Sequence, residues 1–125
     1  LVLSSYPSDI EALLDLAVTM TNILRVKYGQ KFPTGDSFIE VTKQKFHLAM
    51  EAGIKSTGKP PSSVRVAYAA FLEHCGKIDD AEITYLKAIR NAPFCGIYIA
   101  KYSQFLMEIK NNRRLASVFY IRTIL

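Results

Sequence analysis

A pattern of apolar residues that recurs about every 34 positions constrains the fold of this chain more than any other feature. The same residue types recur after 34 positions in one segment: Tyr68, Phe71 and Leu72 correspond to Tyr102, Phe105 and Leu106. Ala81 and Tyr85 return after 35 positions as Ala116 and Tyr120. A period of this length, built from two helices, is typical of stacked helical hairpins.

Helix-start and helix-stop signals divide the chain into six segments. The stretches 8–11 and 37–40 begin with Ser and end with Glu, which is the capping-box form, and 79–82 is a variant. Stop signals follow at Gly29, Gly53, Gly76 and Pro93. The sequence therefore predicts an all-α chain of six helices, at 8–28, 37–53, 62–75, 79–91, 95–110 and 112–125.

Short turns make neighbouring helices antiparallel, so the six helices form three hairpins at about 8–53, 62–93 and 95–125. Ala81 and Ala88 are seven positions apart and share one helix face, with Tyr85 between them. A weaker copy of this spacing is Thr42, Phe46 and Ala49, and it follows Leu16, Ala17 and Met20 on the first helix. Each hairpin has two apolar faces, so it must stack on a neighbour.

The stretch 68–93 resembles a tetratricopeptide (TPR) repeat, and more closely its half-a-TPR (HAT) variant. Tyr68-Ala69-x-Phe71-Leu72-Glu73 is similar to the first helix of a HAT repeat, and Ala81-x3-Tyr85-x2-Ala88 is similar to the second helix of both families. The resemblance implies that residues 1–125 are one segment of a right-handed superhelical array. We expect the segment to belong to a longer chain, because it starts with Leu and ends within an apolar helical pattern.

The resemblance also implies a concave groove, lined by the first helix of each hairpin, that binds a peptide or a helix of a partner protein. The expected lining residues of the second and third hairpins are Ser63, Val66, Ala70, Glu73, His74, Ile97, Ala100, Gln104, Met107 and Glu108. The first functional hypothesis is therefore a non-catalytic scaffold for protein–protein interaction.

Positive charge is concentrated in the last third of the chain. From position 87 onward there are seven basic residues and one acid, whereas residues 1–86 carry nine basic residues and ten acids. The candidate basic patch comprises Lys87, Arg90, Lys101, Lys110, Arg113 and Arg114. Such a patch attracts an acidic partner or RNA, and the HAT resemblance implies the second hypothesis, a subunit of an RNA-processing assembly. Phe94 and Tyr98 are the candidates for base stacking. The alternative is a solvated helix face.

Catalytic and metal-binding patterns are weak. His47 and Glu51 are four positions apart, but a zinc site needs three or four ligands. His74 and Cys75 are adjacent on a helix and face different directions, which disfavours a nucleophile pair. We expect no enzyme activity, cofactor, metal or membrane span. The two cysteines, Cys75 and Cys95, do not suggest a disulfide framework, so we expect free thiols in an intracellular protein, cytoplasmic or nuclear.

Two segments leave alternatives open. Residues 25–36 lengthen the first hairpin and form either a functional loop or a tolerated insertion. The final helix is apolar around much of its circumference, and its exposed apolar end would comprise Val118, Ile121 and Leu125. We expect this face to pack on a further helix, from a missing part of the chain, a second copy or another protein.

Overall fold

The computed structural model describes residues 10–124, with side chains described for residues 10–118. Within this range the chain forms six α-helices and no strands, which confirms the all-α prediction. The helices are α1 (Ile10–Tyr28), α2 (Ser37–Thr57), α3 (Ser62–His74), α4 (Ile78–Asn91), α5 (Gly96–Glu108) and α6 (Arg113–Ile124). No described helix is both long enough and apolar enough to cross a bilayer.

Each helix packs most extensively against its neighbour in a sequential pair, α1 with α2, α3 with α4 and α5 with α6. The pairs also contact one another in a regular way. Both α1 and α2 contact α3, and both α3 and α4 contact α5. The first helix of each later hairpin therefore lies against both helices of the hairpin before it.

One predicted cap and one predicted helix end in the first hairpin are wrong. The N-cap of α2 is Asp36 rather than Ser37, and its Oδ1 accepts a hydrogen bond of 2.8 Å from the Phe38 amide. The hydroxyl of Tyr28 donates a second hydrogen bond to the same carboxylate. At the other end, α2 continues past Gly53 to Thr57 and stops at Gly58, whose φ of 83° is in the left-handed region that glycine tolerates. Ser8, the other predicted cap, lies outside the described residues.

Gly53 has a packing role inside α2 instead. A methyl group at this position would overlap the ring of Pro61, the N-cap residue of α3. The missing side chain therefore allows the start of α3 to pass close to the last turns of α2. At the corresponding place after the second hairpin, α4 ends at Asn91.

Two aromatic clusters join the hairpins. Between the first and second hairpins, Phe46 packs against Tyr68 and Phe71, with ring centroids 5.4 Å away in both cases. Between the second and third, Tyr85 packs against Tyr102 and Phe105 at 6.0 and 5.3 Å. Ala81 and Ala88 are fully buried on either side of Tyr85, which confirms the packing predicted for this helix face.

The segment between α1 and α2 is part of the core. Phe32 is 3% exposed and packs against Tyr28, Phe71 and His74. Its amide donates a hydrogen bond of 2.7 Å to the carbonyl of His74 at the end of α3. We call residues 29–36 the anchored loop. Its aromatic residue fills space between the first two hairpins, so the extra length in this hairpin contributes directly to packing.

Candidate functional site

One cavity lies between the first helices of all three hairpins. It has a volume of about 360 Å³, and we call it the apolar cavity because aliphatic and aromatic side chains form most of its wall. The lining residues are Val18, Thr21, Asn22 and Arg25 of α1, Phe46 of α2, Ser63, Val66, Ala67, Ala70 and His74 of α3, and Tyr98 and Lys101 of α5. Small residues on α3 leave this space open between the larger side chains of α1 and α5.

A second cavity, of about 260 Å³, adjoins the first and is mostly polar, and we call it the polar cavity. Its lining residues are Arg25, Gln30, Ala70, Glu73, His74, Tyr85, Lys101, Gln104, Phe105 and Glu108. Arg25, Ala70, His74 and Lys101 belong to both cavities. The two spaces therefore form one groove with an apolar half and a polar half.

Seven of the ten residues expected in the groove line one of these cavities: Ser63, Val66, Ala70, Glu73, His74, Gln104 and Glu108. The remaining three, Ile97, Ala100 and Met107, line neither. On α5, the lining residues Tyr98, Lys101, Phe105 and Glu108 are spaced three or four positions apart and form the helix stripe that faces α3. The groove is thus closer to the α3–α5 contact than the resemblance to TPR repeats implies.

The contribution of the first hairpin was missing from the prediction, although the repeat pattern contains it. Ala17 on α1 and Ala69 on α3 are both fully buried, 52 positions apart. Positions 52 residues before Ala70, Glu73 and His74 are occupied by Val18, Thr21 and Asn22. These three residues of α1 all line the apolar cavity. Extending the weak first copy of the repeat by this shift would have identified them.

The acidic residues of the groove are engaged with neutral donors. Tyr85 donates a hydrogen bond of 2.6 Å from its hydroxyl to Glu73 Oε1, and Gln104 Nε2 donates to Glu108 Oε1 at 3.1 Å. Burial raises the pKa of Glu73 above its ordinary value, and the bond from Tyr85 offsets part of that effect. Burial and the neighbouring Glu73 also raise the pKa of Tyr85. This pair stabilises the wall of the polar cavity.

His74 is held in place by the anchored loop. Its Nδ1 lies 2.7 Å from the carbonyl oxygen of Gln30, and its ring stacks on Phe32 with the centroids 5.0 Å apart. Since a carbonyl can only accept, Nδ1 is the donor in this hydrogen bond. The loop therefore positions a ring nitrogen and an imidazole face at the boundary between the two cavities.

The residues of the candidate basic patch lie on several elements. Lys101 lines both cavities, whereas Lys110 pairs with Glu82, with Nζ and Oε1 3.5 Å apart. Lys87 and Arg90 are exposed on α4, and Arg113 and Arg114 begin α6. The six residues are thus divided among the groove, an intramolecular ion pair and two separate helices.

At the exposed apolar end, Val118 is 52% exposed, while the side chains of Ile121 and Leu125 lie outside the described part of the chain. Ile83 occupies the corresponding position of α4, 35 residues earlier, and is 51% exposed even though α5 follows it. Exposure at this position is therefore shared by two successive hairpins, and it does not by itself indicate an uncovered stacking face.

The groove can supply apolar contact and positive charge to a ligand. Outside the groove, burial raises the pKa of the Cys75 thiol, which lowers the fraction of reactive thiolate. His47 lies 3.2 Å from the Tyr68 hydroxyl, to which it is hydrogen-bonded. Among the described residues there is no group of three His, Cys, Asp or Glu side chains that could hold a metal ion.

Comparisons with protein-family models, curated proteins and solved structures found no match to this chain.

Proposed function

We propose that this chain is a non-catalytic interaction scaffold that binds a peptide or a helix from a partner protein in the groove between α1, α3 and α5. The observation that carries the proposal is the apolar cavity of about 360 Å³, to which the first helix of every hairpin contributes. A cavity of this size, mostly apolar with a few polar groups at its edge, is typical of sites that bury a ligand side chain.

The proposed architecture is a TPR-like right-handed superhelix. Two features support it. The first helix of each later hairpin contacts both helices of the preceding one, and the same aromatic arrangement joins the hairpins at both junctions. Arrays built in this way curve and present their first helices on the concave side, where partners bind. The partner would be another protein of the same compartment, which we propose is the cytoplasm or the nucleus.

A peptide selection tests the proposal. The folded chain is immobilised and challenged with a phage-displayed library of random 12-residue peptides. Enriched peptides are then measured by fluorescence anisotropy against Ala70→Trp, which places an indole in both cavities. We expect Ala70→Trp to weaken binding by at least about tenfold, because the apolar side chain of the ligand loses its space.

Ile83→Trp is the matched control, since Ile83 is half exposed on α4 and lines neither cavity. It should bind the enriched peptides as the parent chain does. Thermal melts of both variants verify that they are folded. A library with no enriched peptides, or peptides that bind Ala70→Trp at full strength, would refute binding in this groove.

A second candidate, a HAT-type subunit of an RNA-processing assembly, is favoured by one observation. Phe94 is 99% exposed in the turn after α4, and Lys87 and Arg90 precede it on that helix. Exposed aromatic rings beside cations are the elements with which proteins bind single strands. A fluorescent 20-nucleotide oligouridine should then bind at low salt and lose affinity in Phe94→Ala. No binding at 50 mM salt would remove this candidate.

A further inference from the structure

The two halves of the groove differ in charge. No acidic residue lines the apolar cavity, but two cations do, Arg25 from α1 and Lys101 from α5. Within the described part of the chain, neither cation has a carboxylate within 4 Å. Both residues also line the polar cavity, so they lie where the two halves of the groove meet.

The acids nearby do not offset these cations by direct pairing. Glu73 and Glu108 line only the polar cavity, and each already accepts a hydrogen bond from a neutral side chain. Lys110 shows the contrast, because it has an acidic partner, Glu82. The groove thus offers an apolar space bordered by two cations without a direct ion pair, although Lys101 also attracts Glu73 across the polar cavity.

We propose that the groove selects peptide segments in which a large apolar side chain lies within two residues of an Asp or a Glu. The apolar side chain enters the apolar cavity, and the carboxylate lies between Arg25 and Lys101. This inference rests on the proposed function, because it specifies the ligand of the same groove. It goes beyond that function by assigning a chemical class to the peptide.

Charge complementarity decides between acidic, neutral and basic segments. A bound peptide displaces water from Arg25 and Lys101, and this loss is unfavourable unless a negative group replaces the water. A carboxylate supplies that group, and the planar guanidinium of Arg25 can bind it through two parallel hydrogen bonds. A basic segment would be repelled by both cations, and a neutral segment would leave them without a partner.

The phage-displayed library described above also tests this inference, through the composition of the enriched peptides. We expect an Asp or a Glu within two residues of a Leu, Ile, Phe or other large apolar residue in most of them. Replacing that acid by its isosteric amide should weaken binding about threefold to tenfold, and 500 mM NaCl should remove most of that difference. The double variant Arg25→Glu, Lys101→Glu should bind the enriched peptides at least about tenfold more weakly. The same library selected on this variant should instead yield peptides with Lys or Arg beside the apolar residue.

The control is Lys55→Glu, Lys87→Glu, which makes the same change in net charge. Lys55 lies in the last turn of α2, as Arg25 does in α1, and Lys87 is exposed within α4. Neither lines the apolar cavity or the polar cavity. This variant should keep the acidic preference.

Three outcomes are distinguishable. Peptides that require Ala70 and the two cations support the inference. Peptides that are lost in Ala70→Trp but show no acidic preference overturn the inference and leave the proposed function intact. Peptides that bind Ala70→Trp normally, or an empty selection, overturn both.

Discussion

The two junctions between hairpins use the same ring geometry with different chemistry. At the first junction the central ring is Phe46, and at the second it is Tyr85. Each central ring packs against a Tyr and a Phe of the next hairpin, and in both cases these two rings have centroids 6.1 Å apart and an interplanar angle of 19°. The repeat therefore determines where the rings lie, even where the residue at the centre changes.

The two junctions differ in the further contacts that surround the three rings. The second has partly buried hydroxyl–carboxylate bonds, from Tyr85 to Glu73 at 2.6 Å and from Tyr102 to Glu82 at 3.0 Å. The first has no such bond at its central ring, because Phe46 has no hydroxyl group. Instead the anchored loop inserts Phe32 beside Phe71. The first junction therefore has additional apolar packing from the anchored loop, which lies outside the repeat. The second has hydrogen bonds between residues of the repeat itself.

Truncation of the central ring should have the largest effect at both junctions. We expect Phe46→Ala and Tyr85→Ala each to lower the free energy of unfolding by about 3–5 kcal/mol, as removal of a buried aromatic side chain does. The loss should be larger for Tyr85→Ala, because Glu73 also loses its donor. Urea denaturation followed by circular dichroism measures both values.

A matched exposed position, Ile83→Ala, should cost less than about 1 kcal/mol. If Tyr85→Ala melted within a degree or two of the parent chain, its central place in the second junction would be wrong. If only one of the two truncations were severe, the two junctions would not be equivalent.

Phe32→Ala tests the feature that only the first junction has. We expect a loss of about 3 kcal/mol, at the low end for a buried Phe, because a loop can partly collapse into the space. Hydrogen exchange at the Phe32 amide, now bonded to the His74 carbonyl, should accelerate. Amides of α5 at the second junction should keep their protection. A melt unchanged by Phe32→Ala would mean that the anchored loop is a dispensable insertion.

Sequence periodicity was sufficient to predict the helices and the recurring apolar pattern, because both depend on local spacing. Phe71 on α3 and Tyr85 on α4 belong to this pattern and are buried, and Tyr68 is half-buried, as the spacing along each helix predicts. The anchored loop could not be predicted in this way. Phe32 lies outside any period, and its burial depends on a space that exists only once α1 and α3 are packed.

The groove was predicted in part for the same reason. The resemblance to TPR repeats placed Ala70, Glu73 and His74 in the groove, but the exact stripe of α5 that faces α3 is set by the angle between hairpins. That angle is a property of packing and not of spacing. Gly53 illustrates the limit, since its sequence context predicts a helix end, whereas its structural role is to let Pro61 approach.

Overpacking tests whether the small residues at the two junctions are equivalent. Ala49 and Ala88 are fully buried and lie three positions after Phe46 and Tyr85. We expect Ala49→Leu and Ala88→Leu each to cost about 1–3 kcal/mol, because the added methylene groups have no space. Ala88 carries a further constraint, since Ser62 Oγ donates a hydrogen bond of 3.0 Å to its carbonyl. A variant as stable as the parent chain would place that alanine at the surface.

The smallest expected effect concerns the hydroxyl that distinguishes the second junction. Tyr85→Phe keeps the ring but removes the hydrogen bond to Glu73. This loss should lower the free energy of unfolding by about 1 kcal/mol at pH 8. Tyr68→Phe is the counterpart at the first junction. Its hydroxyl bonds to His47 at an exposed site, so its removal should cost less.

The difference between Tyr85→Phe and the parent chain should also depend on pH. Burial and Glu73 raise the pKa of Tyr85 above its ordinary value of 10, so the folded chain holds this proton more tightly than the unfolded chain does. The stabilisation is complete below pH 10 and is lost as the pH rises further, by up to about 1.4 kcal/mol per pH unit. Tyr85→Phe has no such proton to lose, so its disadvantage at pH 8 should shrink and then reverse between pH 10 and 11.5 in urea denaturation. A gap that stays constant from pH 8 to 11.5 would contradict a partly buried hydroxyl–carboxylate bond at this junction, and would leave the two junctions chemically alike.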